Sequence, residues 1–304
     1  MGRKSMALVI APPAARVRAR QKPGDFTMRI ALLAAAAGLA LATPAMADDH
    51  MGVTAERHDH HGALKAAVAS DVRGDDAQRD EYRHPFETLD FFQVKPGMTV
   101  VDYMPAGGWY TRILVPYLGS NGRYVGLTPD PAAADGERFA NYFGGLPGSF
   151  TEKSPTWNLT GAPTSVYGSQ DVPEAMAGQV DRALIFREMH NLLRSGVLYS
   201  ELTRIRSLLK DDGMLGIVQH RAKEDAPGDY ANGSKGYLRQ SDVIALVEAH
   251  GFELVGMSDI NANPADPANW EGGVWTLPPS NSGDVAGAAA TGESDRMTLL
   301  FKKR

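Results

Sequence analysis

An open α/β sheet with helices on both faces is the fold class this sequence predicts, on two observations. Short apolar runs recur near 98–101, 124–127, 180–186, 214–219 and 252–255, and segments with helical apolar spacing separate them. The runs are continuous rather than alternating, as expected of strands covered on both faces. No internal repeat is present.

The elements follow in order. Residues 63–92 carry a helical pattern interrupted near Gly74 and Pro85, with Phe86, Leu89 and Phe92 on one face. Lys95-Pro96-Gly97 punctuates before a first strand that ends in Asp102. A small-residue turn follows. A helix opens near Trp109 and stops by Gly119, Asn121 and Gly122. The second strand, 124–127, is closed by Pro129 and Pro131. Next come a helix over 134–143, a Gly/Pro-rich loop, a weak strand at 164–167, a clear strand at 180–186 and a helix at 197–209. Asp211-Asp212-Gly213 reads as a turn into a strand at 214–219. A helix at 240–249 ends at His250-Gly251 before a strand at 252–255, and a Gly/Ala/Ser loop over 279–294 precedes the last strand, 296–301.

The chain has 304 residues, 43% hydrophobic and 22% charged, enough for a sizeable core. Met28-Arg29, the apolar stretch 30–42 and Ala45-Met46-Ala47 form a basic start, an h-region and an A-x-A site, the pattern of a cleavable secretory signal peptide. The expected organisation is an N-terminal extension and signal over 1–47, a His-rich tail over 48–62 and one α/β domain over 63–304. The mature chain is then periplasmic or secreted, with no stable membrane anchor, since the stretch falls short of the roughly 20 residues a span needs. Cleavage after Ala47 leaves 24 Lys+Arg against 35 Asp+Glu, a formal charge of −11. Such acidity argues against non-specific nucleic-acid binding and leaves a small-molecule partner. With no cysteine, disulfides and thiolate metal ligands are excluded. His58, His60 and His61 could hold Zn²⁺ or Cu²⁺ through neutral imidazoles, or be incidental to a solvated tail.

The stretch Val100 to Thr111 is the richest in chemistry. A buried strand turning sharply into a helix leaves backbone N–H groups free at the helix mouth and lets a ligand approach the main chain. The acid ending the strand can accept hydrogen bonds from an amino or hydroxyl group, and the combination suits a nucleoside-bearing ligand. The alternative is that Asp102 only caps the turn.

Lys95-Pro96-Gly97-Met98 leading into Val100-Val101-Asp102, Val180-Asp181-Arg182 opening the fourth strand, Leu208 to Gly213 and Val247 to Phe252 together resemble a class I S-adenosylmethionine-dependent methyltransferase. The resemblance covers about residues 85–304. More narrowly, Pro105-x-Gly107-Gly108-Trp109-Tyr110-Thr111 and Gly292 to Met297 resemble a small bacterial group of exported predicted methyltransferases. It implies a Rossmann-like open seven-stranded sheet with its last strand antiparallel, and S-adenosylmethionine as cofactor. Asp102, Ala106, Gly107 and Gly108 would then hold the methionine end, and Thr128 or Asp130 the ribose. The sequence departs from the family's E/D-x-G-x-G-x-G loop: Met104 and Ala106 stand at the first two glycines, and Thr128 where an acid ends the second strand.

Substrate-facing candidates lie after strands four and five, at the carboxyl edge where open α/β sheets place ligands: Arg187, Glu188, His190, Asn191, His220 and Arg221. His190 is the candidate general base with Glu188 beside it, since imidazole titrates near neutrality; a packed structural role is its alternative. Trp109 and Tyr110 either stack on a ligand or pack, with packing favoured. Glu293, Asp295 and Arg296 either close over the site or form a surface ion pair, the latter favoured.

The function expected is methyl transfer to a small acceptor; the alternative is a periplasmic binding or sensor module on the same scaffold. An NAD-dependent dehydrogenase expects G-x-G-x-x-G, which the run 104–109 does not match.

Overall fold

The computed structural model describes residues 60–304. The signal peptide and most of the His-rich tail lie outside them, as does His58. Among the described residues, no helix is long and apolar enough to cross a membrane.

Among the described residues, seven strands form the body of the sheet: β1 (Thr99–Tyr103), β2 (Arg123–Thr128), β3 (Thr164–Gly168), β4 (Val180–Phe186), β5 (Leu209–Ala222), β6 (Phe252–Ser258) and β7 (Arg296–Lys303). Their order is β3-β2-β1-β4-β5-β7-β6, and a two-residue strand, Leu238–Arg239, pairs with the end of β5. The first five run parallel; β7 is antiparallel to both β5 and β6. This is the Rossmann-like open sheet with an antiparallel last strand.

The two faces of the strands feed separate cores. Val101, Tyr103, Val125, Leu127, Ala183 and Ile185 pack with Leu202 and Ile205 of α5 (Leu198–Leu208) and Val243 and Val247 of α6 (Gln240–Ala249). Val100, Tyr124, Leu184, Phe186 and Val218 pack on the other side with Leu89 of α1 (Pro85–Phe91) and Ile113 and Leu114 of α2 (Thr111–Leu118). Helices therefore cover both faces, which is why the strands read as unbroken apolar runs. The strand order reverses between β1 and β4, and that reversal opens a crevice at the carboxyl ends of the strands.

Three expectations are corrected. The Gly/Pro-rich loop after 143 is helical: α3 runs from Glu137 to Lys153 through Gly144, Gly145, Pro147 and Gly148. Phe139, Phe143, Leu146 and Phe150 recur at helical spacing and pack into the two cores, so tertiary burial outweighs poor helix propensity. Asp211-Asp212-Gly213 does not precede β5 but lies within it as a bulge: Val180 pairs with Leu209 and Arg182 with Met214, so several residues of β5 oppose one of β4. The 279–294 loop contains a helical turn, Ala288–Thr291.

Candidate active site

The loop after β1 keeps the conformation of a glycine loop without most of its glycines. Met104, Ala106 and Gly108 have φ of 53°, 47° and 76°. For L-residues this region costs of order 1–2 kcal/mol, so the first two are held there by their surroundings. Met104 is buried in the same apolar cluster as Leu127 and Phe143, which anchors it. Gly108 lies under the Trp157 ring, where an added Cβ would come within 2.4 Å of that ring. Ala106 and Gly107 are exposed, and a Cβ on Gly107 would meet nothing within 4 Å. Main chain is thus accessible at the middle of the loop.

Two cavities meet at this loop. The smaller, of about 230 Å³, lies between Pro105–Gly107, Thr128 and the α3 face bearing Tyr142, Ser149 and Lys153. The larger, of about 490 Å³, extends from Asp102 and the same loop toward the ends of β4, β5 and β7. Met104 borders both without filling either.

Asp102 sits on the wall of the larger cavity, 2% exposed. It accepts a hydrogen bond from Tyr124 Oη (2.8 Å), whose oxygen lies 2.7 Å from Thr111 Oγ1, rather than capping the turn. Burial pushes its carboxyl up to about 7, against the opposing pull of the Tyr124 hydrogen bond. A buried carboxylate with one neutral donor and a cavity in front of it is an under-compensated anion.

The second-strand residues are placed differently. Thr128, on the wall of the smaller cavity, donates through Oγ1 to the Tyr167 carbonyl (3.3 Å). Asp130 lies just past β2 and caps the turn 131–133, accepting from Ala132 N (2.8 Å), and lines neither cavity.

On the acceptor side, Glu188 and His190 both line the larger cavity, at the mouth of α4 (Met189–Arg194). Asn191 Nδ2 donates to Glu188 Oε2 (2.7 Å); burial raises the Glu188 carboxyl to about 7, outweighing that bond and the Arg187 charge. Burial lowers His190 to about 4, despite a long contact (3.5 Å) from Gln219 Nε2 to its Nδ1, so its imidazole is neutral at neutral pH. His220 is held well below its ordinary value by burial and then by Arg296, with Nδ1 2.6 Å from Ser294 Oγ. Arg221 turns away, pairing with Asp295 (2.9 Å) and Asp259 (2.8 Å).

Glu293, Asp295 and Arg296 do not form a surface ion pair. All three are at most 5% exposed, at the entry to β7, an inner strand of the sheet, and Glu293 and Arg296 line the larger cavity. Glu293 accepts from Arg79 Nε (2.6 Å) and Arg83 Nε (3.3 Å) and is bound by Arg296. Burial pushes its carboxyl up, but Arg296, Arg83 and Arg79 overcome this and hold it at about 2.

Sequence reasoning missed Arg79 and Arg83. They lie in a polar helical stretch with nothing to distinguish them from solvated arginines, and only the fold carries them to the start of β7. Trp109 and Tyr110 are packed: Tyr110 stacks on Phe186 with ring centroids 3.5 Å apart, and Trp109 lies beneath Arg73 and Arg83. Both still border the larger cavity. His60 and His61 belong to a helical segment through 60–68. His60 contacts Tyr117 Oη and His61 lies 2.8 Å from Asp90. Among the described residues no group of three His, Cys, Asp or Glu is placed to hold a metal ion.

No protein-family model and no curated protein matches the sequence. Among solved structures, the chain is similar to a SAM-dependent methyltransferase from Aquifex aeolicus (17% identity, TM-score 0.44, 66% of this chain and 93% of that one). It is also similar to the [4+2]-cyclase SpnF (13% identity, TM-score 0.48, 74% of this chain and 82% of that one). A third is the Burkholderia thailandensis 1,6-didemethyltoxoflavin-N1-methyltransferase with bound 1,6-didemethyltoxoflavin and S-adenosylhomocysteine (12% identity, TM-score 0.38, 86% of this chain and 93% of that one). Identities this low leave the activity to be argued from the site.

Proposed function

We propose that this protein transfers a methyl group from S-adenosylmethionine to a small-molecule acceptor. One observation carries the reading: the buried, singly bonded Asp102 carboxylate faces a cavity beside an open loop main chain at Ala106–Gly107. An α-ammonium group against Asp102 supplies the charge that the fold withholds. The methionine half of the cofactor fits there, and the smaller cavity beside Thr128 suits the nucleoside half. Asp130 lines neither cavity and engages Oδ1 in its cap, so in this reading the main chain of the loop and Thr128 carry more of that half than the family pattern implies.

When bound, S-adenosylmethionine supplies an electrophilic methyl group on a sulfonium; transfer breaks the S–CH₃ bond, joins the methyl to the acceptor and releases S-adenosylhomocysteine. The chain's own residues align the acceptor and exclude water. Where the acceptor must lose a proton, Glu188 is the base. Its carboxyl titrates near neutrality, where general bases work best, and it borders the cavity. His190, neutral and less basic, orients the acceptor by hydrogen bonding.

Export belongs to the same proposal. It rests on the signal-like pattern at 28–47, and intact mass of the mature protein beginning at Asp48 tests it. Calorimetry with S-adenosylmethionine and S-adenosylhomocysteine tests the activity reading. Micromolar binding, weakened at least tenfold in Asp102→Ala, is the expected result; no binding at millimolar ligand overturns it and leaves a binding module on a methyltransferase-like scaffold.

A further inference from the structure

The acceptor side of the larger cavity carries more positive charge than the protein neutralises. Arg79, Arg83, Arg187 and Arg296 all line it. The Arg112 that also borders it is paired with Asp76 (2.6 Å). Arg79, Arg83 and Arg296 share one ionised carboxylate, Glu293, and Arg187 is bonded to none among the described residues. Burial raises the neighbouring Asp102 and Glu188 carboxyls to about 7, which reduces their share of the compensation.

Donors in this cluster are also left over. Arg83 and Arg296 are each 3% exposed, yet among the described residues Arg83 Nη2 and Arg296 Nε have no hydrogen-bond partner. Arg187, half-buried, follows β4 with φ of 64°; among the described residues its guanidinium makes no direct hydrogen bond or ion pair, and Glu293 and Glu188 act on it only at longer range. Burial and the Arg296 charge lower it to about 10, and burial with Arg187 lowers Arg83 to about 8. Buried guanidinium donors left unpaired cost free energy, and an oxyanion satisfies several at once in a planar fork.

We propose that Arg83, Arg187 and Arg296 form an oxyanion site on the β4–β7 side of the cavity, and that the acceptor is a carboxylate- or phosphate-bearing small molecule held there. The assignment to the acceptor rests on the methyltransferase reading; the oxyanion site itself does not. A carboxylate in this cavity has two sources, the acceptor or the methionine end of the cofactor. Position favours the acceptor: the loop and Asp102 that suit the cofactor lie at β1, whereas Arg187 and Arg296 lie at the end of β4 and the start of β7.

Calorimetry on the full chain, with inorganic phosphate and S-adenosylhomocysteine titrated singly and together, tests both parts. Phosphate should bind once per chain. Arg187→Gln should weaken it tenfold or more and Arg187→Lys, which keeps the charge and loses the fork, by clearly less than Arg187→Gln, with neither urea midpoint lowered. S-adenosylhomocysteine should bind phosphate-saturated protein within threefold of its affinity for free protein. Competition between the two, with Arg187→Gln weakening both, overturns the acceptor assignment and gives the site to the cofactor's carboxylate. Absence of phosphate binding, or binding indifferent to Arg187, overturns the oxyanion site. Arg187-dependent phosphate binding without any S-adenosylhomocysteine binding sustains the site and refutes methyl transfer.

Discussion

Asp102→Asn isolates the charge of the under-compensated carboxylate, because the amide keeps the shape and its oxygen still accepts from Tyr124 Oη. In the folded protein the Asp102 carboxyl titrates near 7, against an ordinary 3.8. The folded state therefore holds its proton more tightly than the unfolded chain, and stability falls as pH rises from about 4 to about 7, then levels. Each unit is about 1.4 kcal/mol, so the full penalty at pH 8 is on the order of 4 kcal/mol. Relative to wild type, the asparagine variant should gain about 3 kcal/mol more at pH 8 than at pH 5, the two units between pH 5 and the folded titration point. Urea denaturation at the two pH values measures this. The same variant should bind S-adenosylhomocysteine at least tenfold more weakly at pH 8, since the ammonium loses its counter-ion. An advantage that is equal at both pH values refutes the account of Asp102 as an uncompensated buried charge. Stabilisation without loss of cofactor binding refutes its role.

Other consequences follow from the same geometry. Glu293→Gln leaves the guanidiniums of Arg79, Arg83 and Arg296 without their shared anion, and should cost on the order of 3–5 kcal/mol by urea unfolding. Because Glu293 is depressed to about 2, the stability it confers is present above about 4.5 and lost as pH falls toward 2; a shallower acid limb in the glutamine variant than in wild type checks this. Gly108→Ala places a Cβ in a positive-φ position against Trp157 and should destabilise by about 2–4 kcal/mol, read as a drop in urea midpoint. With an acceptor in hand, kcat/KM should rise with pH through a limb near 7 as Glu188 ionises, and Glu188→Gln should flatten that limb.

The sheet was legible because its evidence is local. Continuous apolar runs mark strands covered on both faces, and Gly251 and the Pro129–Pro131 pair end elements wherever they occur. Two segments misled for the opposite reason. Glycines and a proline at 144–148 predict loop by propensity, yet Phe143 and Phe150 hold them helical from both cores. Lys210 to Gly213 has turn composition, but pairing on either side absorbs it as a bulge. The candidate site was half legible. Asp102, Gly107, Glu188 and His190 stand at strand ends, where position in sequence nearly fixes position in the crevice.

What the chain determined by itself is the order of elements and the acid at the end of β1, since both follow from short-range pattern and residue chemistry. Only the tertiary structure decided that Met104 and Ala106 adopt glycine-like backbone, that Asp130 is spent on a cap, and that Arg79 and Arg83 meet Glu293 across more than two hundred residues. Burial and charge pairing are properties of neighbours in space. No window along the sequence carries them until the sheet has brought its ends together.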